Sequence, residues 1–560
     1  MTRNLTSLAL VLFMPIAARA ADNKVPTLPE LKKLNAAFAP VPLNVDLAEL
    51  PGNERQALAK IVAAARVMDG IYLRQVWAGN EGVLMSLLSD PTPLGKERLK
   101  AFLINKGPWW RLDGNRPFLA NVPPKPPAGT FYPADATKAD LDTWIKGLAP
   151  ADKEKALAFF YVIRRSSDNK LKGVGYNLEY QTELQVAGSY LLEAAALTTN
   201  ETLANFLRKR AAAFASNDYY ESDMAWMQLD AAIEPVLGPY EVYEDEWFNA
   251  KAAFEAFVTI RDDAETAKLA KFSAELQGLE NTLPIEPAYR NPKIGALAPI
   301  RVVNSIFSSG EAYAGVQTAA FNLPNDERIA KEVGTKRVML KNVQEAKFAK
   351  VLLPISKVAL APIDQKNVVF EAFFTHILMH ELMHGLGPHD IKKDGKPTTV
   401  RAELQDLYSA VEEAKADITG LWAMQQLIDK GLIDKKLEKS MYVTFLASSF
   451  RSLRFGINEA HGKGVALQLN YLLDEGAYKV AKNGSFAVDA KKAKDAVAKL
   501  TQELLSLQAL GDRNKASDLF TRLAVVRPET QKVLDKLVKV PTDIAPSFPT
   551  ADKLGAEGEK

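Results

Sequence analysis

The 560-residue chain contains no cysteine. Disulfides, thiolate metal ligands and nucleophilic thiols are all excluded, so any transition metal must be held by His and carboxylate. Histidine is nearly as scarce, with five in the whole chain. Charge is balanced: 70 Lys and Arg stand against 68 Asp and Glu, without the basic surplus of a nucleic-acid-binding protein. No apolar run reaches the roughly 20 residues that cross a bilayer. The G-x-x-x-x-G-K-[ST] phosphate loop and the G-x-S-x-G nucleophile elbow are both missing, so NTPase and serine-hydrolase readings have no support.

What is present begins with MTRNLTSLALVLFMPIAARAAD. Arg3, the apolar run at residues 8–17 and the small-x-small Ala18-Arg19-Ala20 form the pattern of a bacterial secretory signal, cut after Ala20. The expectation is an exported, periplasmic protein with no membrane insertion once the signal is removed. Cutting there takes Arg3 and Arg19, and the remainder stands at 68 basic against 68 acidic residues. About 540 residues are more than one hydrophobic core usually supports, so at least two lobes are expected.

Apolar residues at three- and four-residue spacing predict helices over 52–105, 137–230, 366–385, 401–430, 436–476 and 490–525. The Pro- and Gly-rich stretch 107–133 reads as an irregular crossing with some strand, and IRVVNSIF within 284–325 as β-prone. VLGPYEVYEDEWFNAKAAFEAF, 236–257, is predicted to start extended and turn into a helix running to about 278. KNGSFAVDAKK at 482–492 suggests a loop with a short strand, and the tail after 540 a loose end. The fold class is mainly α with a smaller β part (α+β).

Four of the five histidines fall in HILMHELMHGLGPHD, 376–390. HELMH at 380–384 is H-E-x-x-H. On a helix, positions i and i+4 share a face, so His380 and His384 can grip one Zn²⁺, with Glu381 beside them to take a proton from a water on the metal. A Glu between two His in an apolar helix is costly to bury without a metal or partner. A catalytic zinc takes three protein ligands and keeps one position open. Three third ligands compete. His376 lies one turn earlier, but His376 and His384 span about 12 Å along the helix, too far for one ion, which leaves His376 a supporting or packing role. His389 and Asp390 sit near where H-E-x-x-H-x-x-G-x-x-H places a third His; Gly387 fits, but position 390 is Asp. EEAKAD, 412–417, sits in a helical pattern flanked by Val411, Ile418, Leu421 and Trp422. There Glu413 can ligate while Asp417 reaches the far nitrogen of a ligand His. Buried acids want a cation, and Glu413 is the ligand we select.

H-E-x-x-H followed by E-E-x-K-A-D-x-x-G-L resembles the dipeptidyl peptidase III family of zinc metallopeptidases. The resemblance implies one Zn²⁺ per chain on His380, His384 and Glu413, Glu381 as catalytic acid/base, and Glu412 and Asp417 supporting the ligands from behind. GPYEVYEDEWFNAKAAFEAF resembles the family's segment with a substrate-binding Glu and a transition-state Tyr, implying Glu241 and Tyr243. FNLPN resembles its peptide-binding stretch, implying Asn322 and Asn325, and NEAHGKGVALQLNYLLDEGA its catalytic-His helix, implying His461. The similarity runs over roughly 236–480. Differences from the best-known members are a five-residue rather than six-residue zinc motif, Ala414 and Lys415 in place of Cys and Arg, and Val465 where an Arg follows the catalytic His.

The resemblance further implies a monomer that hydrolyses short peptides, releasing N-terminal dipeptides. It implies two lobes separated by a cleft: a helical zinc-carrying lobe (258–299 with 351–519) and a lobe of helices plus a small β-barrel (21–257 with 300–350 and 520–560). Two other functions compete: a zinc endopeptidase or aminopeptidase with a different cut, and a peptide-binding protein with structural zinc. The intact Glu381 argues against the last, because a structural site needs no base.

Overall fold

The computed structural model describes residues 25–294 and 299–558; the segment 1–20, expected to be an export signal, lies outside them. The chain forms two lobes around two principal hydrophobic cores. In the first, α1 (Gly52–Val76) buries Leu58, Ile61, Val62, Ala65, Met68, Tyr72 and Val76, one face at three- and four-residue spacing. It packs against α2 (Gln181–Leu197), which packs on α3 (Glu201–Ser216).

The other face of α1 lies on a five-stranded mixed sheet. Its strands are β1 (Ile233–Glu241), β2 (Ala253–Arg261), β3 (Ile300–Gly310), β4 (Ala320–Leu323) and β5 (Lys336–Leu340), in the order β1-β2-β3-β5-β4. Only β3 and β5 run parallel. The sheet is a half-barrel with β1 and β4 at its edges, and it is the small β component expected in this lobe.

The second core is helical. It gathers α4 (Phe370–Met383), α5 (Tyr408–Asp429), α6 (Ala460–Asp474) and α7 (Ala490–Leu510), with helices Asp263–Thr282 and Leu437–Leu453 around them. It also takes in Phe520, Leu523, Val533 and Val540 from the C-terminal part of the chain.

Three expectations are corrected. The helix predicted over AFEAF is strand β2: seven consecutive residues from Ala253 are buried, as a strand covered on both faces requires. The helical stretch 137–230 is interrupted by the hairpin Tyr161–Arg165/Leu171–Gly175, whose turn places Asn169 at φ 64°. The tail after 540 is ordered: Asp543–Ser547 pairs in parallel with Phe38–Pro42, and a helix follows at Pro549–Gly558. Among the described residues no helix is long and apolar enough to cross a membrane.

Candidate metal centre

The site depends on how closely three helices of the second core approach. A Cβ on Gly420 of α5 would stand 3.2 Å from the His380 main-chain nitrogen of α4, and one on Gly464 of α6 3.2 Å from that of Ala414. Glycine at these two positions lets α4 and α6 lie directly on the stretch of α5 that carries Glu413 and Asp417.

His380 and His384 share one face of α4, with rings perpendicular and Nε2 atoms 3.1 Å apart. Each Nδ1 is held from α5: that of His380 lies 2.7 Å from Asp417 Oδ1, and that of His384 2.9 Å from Glu412 Oε1. A carboxylate acceptor keeps the proton on Nδ1 and turns the Nε2 lone pair inward. Glu413 Oε2 lies 3.3 and 3.9 Å from the two Nε2 atoms and 3.1 Å from Nε2 of His461. It is buried, and none of these rings is aligned to donate to it. Two inward lone pairs and an orphaned carboxylate oxygen, all within 4.8 Å of one another, are a donor set for a divalent cation. It is the only such group among the described residues.

The charges say the same. Burial would depress His380, but Asp417, then Glu413 and Glu381, outweigh it and carry its pKa up to about 10. Burial opposes ionisation of Glu412, yet Lys415 and His384 hold its pKa near 2. Glu413 is held well below the usual carboxylate range by His380 and His461, against its burial. A cage that pulls a proton onto His380 this strongly attracts any cation of suitable size.

His376 does not reach the centre; its Nε2 lies 2.9 Å from the Asp417 carbonyl, and burial lowers its pKa. Asp390 points to solvent at the start of a surface hairpin, and His389 lines the cleft without joining the donor set. His461 stands at the start of α6 with its ring stacked toward His380, centroids 6.4 Å apart. Its pKa is raised, chiefly by Glu413.

A cleft of about 680 Å³ opens in front of these groups. Tyr243 and Asn322 line it from the sheet lobe, facing Glu381 and His461. Tyr243 is 73% exposed, and the Glu241 charge raises its pKa. Glu241 ends β1, and its pKa is raised by burial although Asn325 and Tyr243 face it. Asn325 donates to the Tyr240 carbonyl at 3.0 Å, tying the two sheet edges together. Glu241 and Asn325 thus flank Tyr243.

Several supporting residues were not foreseen. Lys415 is fully buried, and its Nζ donates to the carbonyls of Met383 and Leu386 and lies 2.9 Å from Glu412 Oε1, locking the end of α4 onto α5. Gln508 of α7 donates to Glu412 at 2.6 Å, and Gln468 of α6 to Asp417 at 3.4 Å. Arg337 of β5 contacts Glu381 across the cleft. Lys415 carried a sequence signal, a lysine inside an apolar helix; the other three sit on elements remote in sequence.

The peptidase family M49 model matches residues 165–395, which include HELMH. The solved structure of dipeptidyl-peptidase III from Corallococcus sp. strain EGB is 61% identical, covers 96% of this chain and 100% of its own, and superposes with a TM-score of 0.80. That of DPP III from Caldithrix abyssi is 44% identical, covers 94% and 100%, and gives 0.90. Nudix hydrolase 3 of Arabidopsis thaliana is 42% identical over 577 residues, 94% of this chain and 74% of that protein.

Proposed function

The chain belongs to the dipeptidyl-peptidase III family, peptidase family M49, and is a metallopeptidase of the dipeptidyl-peptidase type; from that premise we propose that it works with one Zn²⁺ held by His380, His384 and Glu413. The donor set within 4.8 Å, backed by Asp417 and Glu412, is the observation that carries this reading. Bound there, the ion supplies Lewis acidity to the scissile carbonyl and to water.

The chain's own side chains do the rest. Glu381 takes the proton of the attacking water and returns it to the leaving amine. Tyr243 and His461 face the reacting carbon from opposite lobes and donate to the developing oxyanion. Glu241 receives the substrate's N-terminal ammonium, which fixes the cut two residues in, and the amides of Asn322 and Asn325 align the peptide backbone. The substrates are short peptides and the working unit a monomer. We also propose export to the periplasm by residues 1–20; N-terminal sequencing of the secreted protein should begin at Ala21.

The test is mass spectrometry of peptide digests with and without a chelator, for the native chain and Glu381→Gln. Dipeptides released from the N-terminus, lost on chelation and restored by Zn²⁺, are expected. Glu381→Gln should bind one metal ion yet lose roughly 10²–10⁴-fold in kcat. Fragments of other lengths would overturn the Glu241 anchor, and full activity of Glu381→Gln would overturn its role as base.

A further inference from the structure

Arg337 belongs to β5, whose side chains alternate: Lys336, Val338 and Leu340 are buried toward the sheet-lobe core, while Arg337 turns to the cleft beside its ladder partner Asn322. From there its guanidinium reaches α4 in the other lobe. Nη1 donates to the Glu381 carbonyl, and Nε lies 3.4 Å from Glu381 Oε2.

The carbonyl is available because α4 tightens as it ends. The Gly385 amide bonds back three residues to Leu382, 3.1 Å away, instead of four to Glu381. Glu381 O is thus one of the orphan acceptors of a helix C-terminus, where a cation is also favoured by the helix dipole. Arg337 fills that vacancy and touches the carboxylate of the same residue. No other ion pair to the Glu381 side chain exists among the described residues.

We propose that Arg337 is a positioning residue for the reaction: it fixes the main chain and the carboxylate of Glu381 together, and so sets where the base meets water. This rests on the assignment of Glu381 as base. The two-point hold needs a guanidinium. A neutral side chain lacks the charge, and a lysine ammonium cannot span both acceptors with the same geometry. Because Arg337 touches no metal ligand side chain, its loss leaves the His380–His384–Glu413 set intact.

The experiment compares the native enzyme, Arg337→Gln, Arg337→Lys, Glu381→Gln and the Arg337→Gln/Glu381→Gln pair, all loaded with Zn²⁺ and checked for metal content and thermal midpoint. On an N-terminal dipeptide substrate, Arg337→Gln should lose about 10- to 100-fold in kcat. KM, metal stoichiometry and midpoint should stay near the native values, and Arg337→Lys should recover part of kcat. In the Glu381→Gln background, Arg337→Gln should cost nothing further, because the base through which it acts is gone. A KM rise with kcat unchanged would make Arg337 a substrate-binding group instead. An equal loss in both backgrounds, or loss of metal in step with activity, would also overturn the proposal. If the native enzyme cleaves no peptide, the assignment of Glu381 fails first.

Discussion

Replacing Asp417 isolates the support of one proposed metal ligand, His380, from the ligand itself. Its Oδ1 accepts from His380 Nδ1 at 2.7 Å, while the His376 ring bonds the Asp417 main-chain oxygen and is untouched by a side-chain change. Carboxylates behind a metal-bound His are worth about 10- to 100-fold in affinity, or about 1.4–2.8 kcal/mol. Asp417→Asn keeps an acceptor of the same shape and should fall at the low end. Asp417→Ala leaves a buried Nδ1–H without a partner and should fall at the high end. Competition for Zn²⁺ against a chromophoric chelator at fixed pH reads the difference, with thermal melting of the apo-proteins as a control for folding. Glu412 is the poorer choice, because its carboxylate also neutralises buried Lys415. If Asp417→Ala held Zn²⁺ within about threefold of the native affinity, the claim that these carboxylates orient the histidines would fail.

Lys415→Met strands buried Glu412 and leaves the Met383 and Leu386 carbonyls without their donor; urea unfolding should show a loss of about 3–5 kcal/mol, with weaker Zn²⁺ binding. Gly420→Val pushes a side chain into the His380 backbone, 3.2 Å from where the Cβ would stand; overpacking of about 1–3 kcal/mol should lower the thermal midpoint, and the metal affinity should fall with it. Glu244 is buried between Arg111 and Lys125, at 3.0 and 2.5 Å, and although burial opposes its charge these two cations hold its pKa near 2. Its folded pKa lies below the unfolded value, so its contribution is complete above about pH 4.5 and is lost as pH falls toward 2, at most about 3 kcal/mol. Denaturant midpoints measured across that window should fall more steeply for the native chain than for Glu244→Gln.

The candidate metal ligands were legible as a group because their geometry is local. Positions i and i+4 on an uninterrupted helix dictate that His380 and His384 converge, and the same spacing makes Glu413 and Asp417 neighbours. Bringing those two helices together was legible only as a need, since buried acids and buried histidines each want a partner. How the need is met lies in Gly420 and Gly464, whose missing side chains mean nothing until the helices are packed. The errors share another cause. AFEAFVTIR has letters that suit a helix as well as a strand, and only its place between β1 and β3 decides the matter. Asp543–Ser547 looked like a loose tail because its ladder partner, Phe38–Pro42, lies some five hundred residues away. Arg337 was unreadable for the same reason, as nothing in its strand mentions the helix it reaches.

The partition of groups between the two cores has a chemical consequence. His380, His384, Glu413, Asp417 and Glu412 all ride on α4 and α5, within one core. A shift of the sheet lobe leaves their mutual distances unchanged, so metal affinity is a property of the helical lobe alone. Tyr243 and Asn322 reach the cleft from the sheet lobe, and Arg337 touches Glu381 from there. The groups proposed to orient the base and to face the substrate therefore depend on how the two cores sit relative to each other. One chain crossing between them runs through the π-helical turn Phe348–Leu352, and beside it the Lys347–Asp543 ion pair, 2.9 Å apart with both side chains 2% exposed, clamps the sheet lobe to the returning C-terminal strand. A buried pair of this kind is weak evidence for stability, but removing one partner is costly because it strands the other charge. On the proposed assignment, metal binding and turnover rest on different contacts, and changes at the junction should affect turnover through the position of Glu381 while leaving the metal in place.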